Sequence, residues 1–334
     1  MAKRVTLKDL SDRLGLSQNT ISLVLRDMPG ISETTRQTVL RVAEEMGYNG
    51  KKRRTEMPHI CVLTTYANNT DTYFFGRLQN KIEYCLKERC CPTITINNVE
   101  TYPLETIEEL CAANDISGII MVADIGRELV EKIKGLALPI LCAGFYVPGI
   151  QVDSVLEDNI SGMEMIARHL CKEGCKRAGF IGPIRPDQGF FERWMAFSAI
   201  AERYGIVVDS KTCLLDIDYA DFGNVEQAAQ MIHALPALPE AFVCANDRIA
   251  MSVIKALQYN GRRVPEDVGV IGFDNSDLAQ LCTPTLATVD NFVEEQAVCA
   301  VERLLKRITQ PGMPVQRILC RTEFVAGDSF RAAK

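Results

Sequence analysis

The chain has 334 residues and a formal net charge of −6, long enough for more than one domain and for a large core. Hydrophobic content of 47% and charged content of 24% are ordinary globular values. No apolar run approaches the ~20 residues a membrane span needs, and no apolar segment follows the basic start MAKRVTLKDL, so no membrane partner and a cytoplasmic location are expected.

The thirteen cysteines are scattered, mostly inside apolar runs such as HICVL and AFVCAND, and in a reducing compartment they read as small buried hydrophobes. There is no C-x-x-C, and His59, His169 and His233 lack ligand-like spacing, so neither a metal nor a cofactor is expected.

Residues 5–48 read as three short helices. Thr6 caps the first, which carries Leu7, Leu10 and Leu14 on one stripe, and Gly15 breaks it. Ser17 caps a second helix with Ile21, Val24 and Leu25 inward and Gln18, Asn19, Ser22 and Leu23 outward. Ser32 caps a third, with Val39, Val42, Ala43 and Met46 inward and Gly47 at its end. Helix, glycine turn, helix is the helix-turn-helix pattern, and amides and hydroxyls on the outer face of the second helix suit base edges and phosphates. Residues 1–54 hold eleven Lys/Arg and six Asp/Glu, a net +5, which leaves −11 for residues 55–334. A basic head on an acidic body is the charge pattern of a nucleic-acid-binding module on a globular domain. Residues 49–58 (NGKKRRTEMP) form a basic tether whose Lys51, Lys52, Arg53 and Arg54 can add phosphate contacts.

From His59 onward, strands alternate with helices. HICVLTTY, PTITIN, ISGIIMVA and LPILCAG read as strands of a first α/β unit. RAGFIG, TCLLDI, EAFVCA and VGVIGF read as strands of a second. Such alternation means parallel sheets covered by helices on both faces. Ligands on such sheets bind beyond the C-terminal strand ends, and two units in tandem suggest a cleft between them. An α/β enzyme is disfavoured, because no G-x-S-x-G, no Gly-rich phosphate loop with Lys and no His paired with a nucleophile is present.

The order and spacing of VTLKDLSDRLGLSQNTISLVL, PGISETTRQTVL, VLEDNISG, RWMAF, ANDRIAMSVIKAL and RRVPEDVGVIGFDN resemble the LacI-type (lactose/galactose repressor) family over residues 5–330. The resemblance implies an all-α helix-turn-helix head on a two-lobed, periplasmic-binding-protein-like body. It implies a transcription regulator, expected to be a repressor, that binds operator DNA as a homodimer under control of a small polar, sugar-like effector. The alternative is a cytoplasmic solute-binding protein without a regulatory role. The domains expected are the head (1–48), a basic linker (49–58), lobe 1 (59–158 and 291–319) and lobe 2 (159–290 and 320–330). The chain ends at Lys334 without a leucine heptad, so a dimer is expected rather than a coiled-coil tetramer.

Carried over residue by residue, the resemblance places Gln18, Asn19 and Leu23 at base-reading positions. It places Thr6, Ser17, Thr20 and Ser22 at phosphates, with Arg26 as a further phosphate contact. Leu23 stands where many relatives carry Arg, and an aliphatic tip can touch a thymine methyl but cannot grip guanine. The linker lacks the family's hinge-helix sequence, and Pro58 would stop a helix there. Phe74, Phe75, Phe145, Arg193, Tyr219, Asn246, Asp247 and Asp274 match effector-contacting positions. Gly144 stands where many relatives have an acid, and Gly327 replaces a usual Arg.

Overall fold

The computed structural model describes residues 5, 7–17, 20–21, 24, 31–46, 57–65, 72–185, 187–218 and 221–330. The chain divides into two compact units, Met1–Pro58 and His59–Lys334. Several expected site residues lie outside the described residues: Thr6, Gln18, Asn19, Ser22, Leu23, Arg26, Lys51, Lys52, Arg53, Arg54 and Tyr219.

In the head, α1 (Leu7–Leu14) ends at Gly15, whose φ of +63 is the left-handed conformation glycine adopts without a Cβ penalty. Ser17 then accepts a hydrogen bond from the Thr20 amide at 3.1 Å, and Thr20, Ile21 and Val24 are helical. Ser32 repeats the device with the Thr35 amide at 3.2 Å and opens α2 (Glu33–Glu45). These caps satisfy amides that the first helical turn leaves without partners. Leu10, Ile21, Val24, Val39, Val42 and Ala43 form one buried cluster. Each such aliphatic side chain, where fully buried, contributes about 1.5–3 kcal/mol.

The second unit contains two parallel sheets. The first is ordered β11-β5-β4-β3-β1-β2, with β1 (His59–Thr64), β2 (Thr93–Ile96), β3 (Ile116–Val122), β4 (Ile140–Ala143), β5 (Asp153–Glu157) and β11 (Arg317–Cys320). Alternation along β1 sends Ile60 and Val62 to one face and Cys61 and Leu63 to the other. On the first face lie α3 (Thr72–Glu88) and α11 (Val293–Thr309), and on the second α4 (Leu104–Ala113) and α5 (Arg127–Lys134). Burial on both faces is why these strands are continuous apolar runs.

The second sheet is ordered β7-β6-β8-β9, with β6 (Arg177–Ile181), β7 (Val207–Val208), β8 (Ala241–Cys244) and β9 (Gly269–Ile271). Its helices are α6 (Asn159–Lys172), α7 (Gln188–Ala201), α8 (Val225–His233), α9 (Asp247–Tyr259) and the short α10 (Asp277–Leu281). Beside β9 runs a short antiparallel pair, β10 (Thr288–Asp290) with β12 (Glu323–Val325). One expected element differs. TCLLDI is not a strand but makes a single bridge, Ile181 with Leu214, and the sheet edge is Val207–Val208 instead. Cys213 Sγ accepts from the Phe180 amide at 3.2 Å, and the segment keeps three backbone bonds beside β6, Leu214 N to Phe180 O, Gly182 N to Leu214 O and Ile184 N to Leu215 O, without forming a ladder.

The backbone passes between the sheets three times: from β5 to α6, from β10 to α11, and from β11 to β12. The first and third passages touch, through Asp158 N to Cys320 O at 2.9 Å and Thr322 Oγ1 to Asp158 O at 3.4 Å. Of the thirteen cysteines nine are buried, whereas Cys90 is exposed and Cys171, Cys299 and Cys320 are half-buried, so the reading as buried hydrophobes holds for most but not all.

Candidate functional site

The passage from β5 to α6 meets Arg193, a side chain of α7 that also reaches the turns after β8 and β9. Arg193 is only 3% exposed, and all three of its nitrogens are engaged. Nε donates to Asn159 Oδ1 at 2.8 Å, Nη1 to Ala245 O at 2.7 Å and Nη2 to Glu157 Oε1 at 3.0 Å. Asp274 Oδ1 lies 3.3 Å from Nη2, and the guanidinium sits 3.8 Å from the centre of the Phe273 ring. Burial works against the charge, but Asp274, Glu157 and Asp187 more than offset it and hold the guanidinium above its ordinary pKa. A planar fork with fixed donors is what allows one side chain to join Glu157 at the end of β5, Asn159 at the start of α6 and the turn after β8.

Asp274 follows β9 with φ +109, a conformation L-residues rarely adopt. It is held there by its own amide donating to Val289 O at 2.8 Å and by Asn291 Nδ2 donating to its carboxylate at 3.0 Å. Strain fixed by surrounding bonds in this way is concentrated at functional sites.

The neighbouring pair Asn246 and Asp247 serves local structure. Asn246 is wholly buried, and its Oδ1 accepts from the Ile249 amide at 2.9 Å to cap α9. Asp247 accepts from the Ser276 amide at 2.7 Å and hydroxyl at 2.9 Å, and from the Thr288 hydroxyl at 2.5 Å. The aromatic residues are also largely covered. Phe74 and Phe75 pack edge to face with centroids 4.9 Å apart, and Phe145 is 4% exposed.

A cavity of about 20 Å³, room for about one water, lies between the strand ends of the first sheet and the first turns of α7. Phe75, Phe145, Glu157, Asn159 and Glu192 are among its lining residues. Glu192 gathers neutral donors: Tyr146 Oη at 2.8 Å, Asn159 Nδ2 at 3.1 Å and Gln188 Nε2 at 3.4 Å. Burial and the Glu192 carboxylate raise the Tyr146 pKa, so the phenol stays a donor. Glu157, Asn159, Tyr146 and Glu192 were not singled out from the sequence. Glu157 and Asn159 sit inside VLEDNISG, where a strand end runs straight into a helix cap, and that juncture was the available signal.

Gly144 also has a structural reason. Its φ is +77, and a Cβ there would lie 2.8 Å from the Phe75 ring and 3.2 Å from Phe74. The aromatic pair fills the space an acidic side chain would need. At Gly327, a Cβ would lie 2.3 Å from the Leu286 carbonyl carbon, so no side chain fits. Of the head's expected DNA contacts, Ser17 and Thr20 are described, with their hydroxyls 2.8 Å apart. Ser17 is exposed and Thr20 half-buried.

Residues 6–50 match the family model for bacterial regulatory proteins of the lacI family, and residues 167–330 match that for a periplasmic binding protein-like domain. The chain belongs to the lacI family of bacterial regulatory proteins. It is a DNA-binding transcription regulator rather than an enzyme. Among relatives of this regulator, the probable transcriptional repressor ExuR of Bacillus subtilis is 26% identical over 98% of both chains. The ribose operon repressor of Haemophilus influenzae is 23% identical over 98% of this chain and 99% of its own. Among solved structures, the regulator CelR in complex with cellobiose has a TM-score of 0.70 at 23% identity, covering 98% of this chain and all of its own. The Lac repressor dimer bound to operator and the anti-inducer ONPF has a TM-score of 0.71 at 19% identity, over 99% and 100%. At these identities the structural likeness concerns the fold. It gives the regulator its two-lobed body and its helical head.

Proposed function

We propose that the regulator is a cytoplasmic repressor that binds operator DNA as a homodimer and responds to a sugar-like effector held between its two lobes. The observation that carries this is the Arg193 junction, which ties the passage from β5 to α6 to the turns after β8 and β9 beside a cavity at the strand ends. A ligand there alters the same bonds that set how the lobes lie together. Its effect on DNA equals its differential affinity for two lobe arrangements.

In the head, Gln18, Asn19 and Leu23 would read bases, with Thr6, Ser17, Thr20, Ser22 and Arg26 at phosphates. Lys51, Lys52, Arg53 and Arg54 would add charge. In the body, Phe75 and Phe145 would offer apolar faces to C–H patches, while Arg193 and Asp274 would act chiefly by holding Glu157 and Asn159 in place. Phe74, Asn246 and Asp247 would support the wall, and Tyr219 would approach from the second lobe. Relatives carrying the names of a ribose operon repressor and of a cellobiose complex support the sugar class. The test is a gel shift on the gene's own upstream DNA, with and without sugars that raise the thermal midpoint. A protein that binds such sugars but retards no upstream fragment would be a solute-binding protein, and the repressor reading would be abandoned.

A further inference from the structure

The cavity's electrostatics narrow the effector further, an inference that rests on the effector-cleft reading above. Among the described residues four carboxylates line it, those of Asp124, Glu157, Asp187 and Glu192, and no Lys or Arg does. The Arg193 guanidinium behind them adds no free positive charge, since Glu157 and Asp274 already share it. Of the other arginines in neighbouring segments, three are engaged elsewhere and one, Arg317, stacks on Tyr146, a residue of this cavity's wall. Arg77 donates to Asn275 O at 3.3 Å, Arg185 pairs with Asp216 at 3.8 Å, and Arg248 lies over the Tyr73 ring. Arg317 also lines a separate cavity. Residues 66–71, 186 and 219–220, outside the described residues, add no Lys or Arg in sequence.

An independent observation points to a ligand. Glu157 is 4% exposed, yet its Oε2 has no hydrogen-bond partner among the described residues. A buried acceptor without a donor is costly, more so when it carries charge. Its partner oxygen, Oε1, is already taken by Arg193. The opening turn of α7 lies beside this carboxylate, with the Cβ position of Gly189 3.5 Å from Glu157 Oε1. The wall therefore presents acceptors and negative charge, with Phe75 and Phe145 as its apolar faces.

We infer that the effector is a hydroxyl-bearing molecule with a protonated amine, whose ammonium donates to Glu157, and that carboxylate- or phosphate-bearing sugars are excluded. An ammonium answers both features at once: it donates to Oε2 and neutralises the cluster. A hydroxyl can also donate to Oε2, but only an ammonium adds the attraction of opposite charges to the bond. An anionic group would meet the like charges of Asp124, Asp187 and Glu192 beside the Glu157–Arg193 pair.

Calorimetric titration of the full chain separates these outcomes, with three probe sets at matched ring stereochemistry. The sets are glucosamine and galactosamine; glucose and galactose; and glucuronate and glucose 6-phosphate. The expected result is one amino sugar binding about tenfold or more tighter than its neutral counterpart at ~0.15 M salt, with no binding of the anions. Glu157→Gln should remove that preference, and Glu192→Gln should weaken it where the first variant does not fold. Tighter binding of a uronate or sugar phosphate, or equal binding of amino and neutral sugars, overturns the charge assignment and leaves the effector cleft standing. Binding by none of the probes, in a chain that still retards its operator, overturns both.

Discussion

Gly144 shows how one residue can settle what a whole site accommodates. Its positive φ and the Phe75 ring edge together forbid a side chain. Gly144→Asp should lower stability by roughly 2–4 kcal/mol, from left-handed strain and overpacking combined. Thermal or urea unfolding measures it, and Gly144→Ala should retain most of the loss, because strain and clash begin at Cβ. Asp153 makes the complementary point about charge. It is almost fully buried at the start of β5, where it accepts from Arg303 at 2.7 Å, from Arg307 at 2.8 Å and from the Gln316 amide at 2.8 Å. Burial pushes its pKa up, but the bonds from Arg307, Arg303 and Gln316 outweigh that and hold it below the usual carboxylate value. A depressed folded-state pKa stabilises the protein above the unfolded value of about 3.9 and is lost as pH falls through the folded value. Asp153→Asn should therefore flatten the acid limb of the stability curve below about pH 4. Near neutral pH it should cost about 3–5 kcal/mol, because two arginines lose their buried partner.

At the scale of elements, side-chain caps decide where helices start. Asn224, Asp158, Asp187 and Asn246 each accept from amides in the first turn of the helix that follows. Asn246 is the informative one, since resemblance places it among effector contacts and geometry places it on the Ile249 amide. Asn246→Ala should destabilise the body by about 1–2 kcal/mol, while Asn246→Asp, which keeps the acceptor oxygen, should retain most of the stability. If Asn246→Asp instead folds normally and loses effector response, direct contact is the better account. The segment 212–217 teaches the opposite lesson. Its apolar alternation fits a strand, but a strand also needs a partner edge, and Leu214 finds only one bridging residue, Ile181.

For the whole molecule, charge is divided between a basic head and an acidic body. If the tether grips phosphates, replacing Lys51, Lys52, Arg53 and Arg54 with Ala should lower the slope of log K against log salt by up to about 3–4. An unchanged slope in fluorescence-anisotropy titrations would restrict the DNA contacts to the three-helix region. Two of the body's three chain passages touch at Asp158, and the first of them is held by Arg193. Coupling of the cavity to DNA follows from two arrangements of that junction rather than from distance.

The sequence by itself determined most of the central elements and their kind, though not the edge strand Val207–Val208. Ser17 and Ser32 before apolar periods, Gly15 at a turn, and two-faced strand runs such as HICVLT are local signals, and local backbone preferences satisfy them. It also determined the family, because the motifs stand in a specific order along nearly the whole chain. Only the tertiary structure decided what the polar residues do. Arg193 reads in sequence as a ligand contact, but its neighbours in space are Asn159, Glu157, Ala245 and Asp274, which lie 34, 36, 52 and 81 positions away in the chain. Glu157 carried no signal beyond a strand end, because its importance is the burial of one oxygen and the carboxylates gathered around the cavity. Those properties belong to what surrounds a side chain, and for long-range contacts that is fixed only when the two sheets come together.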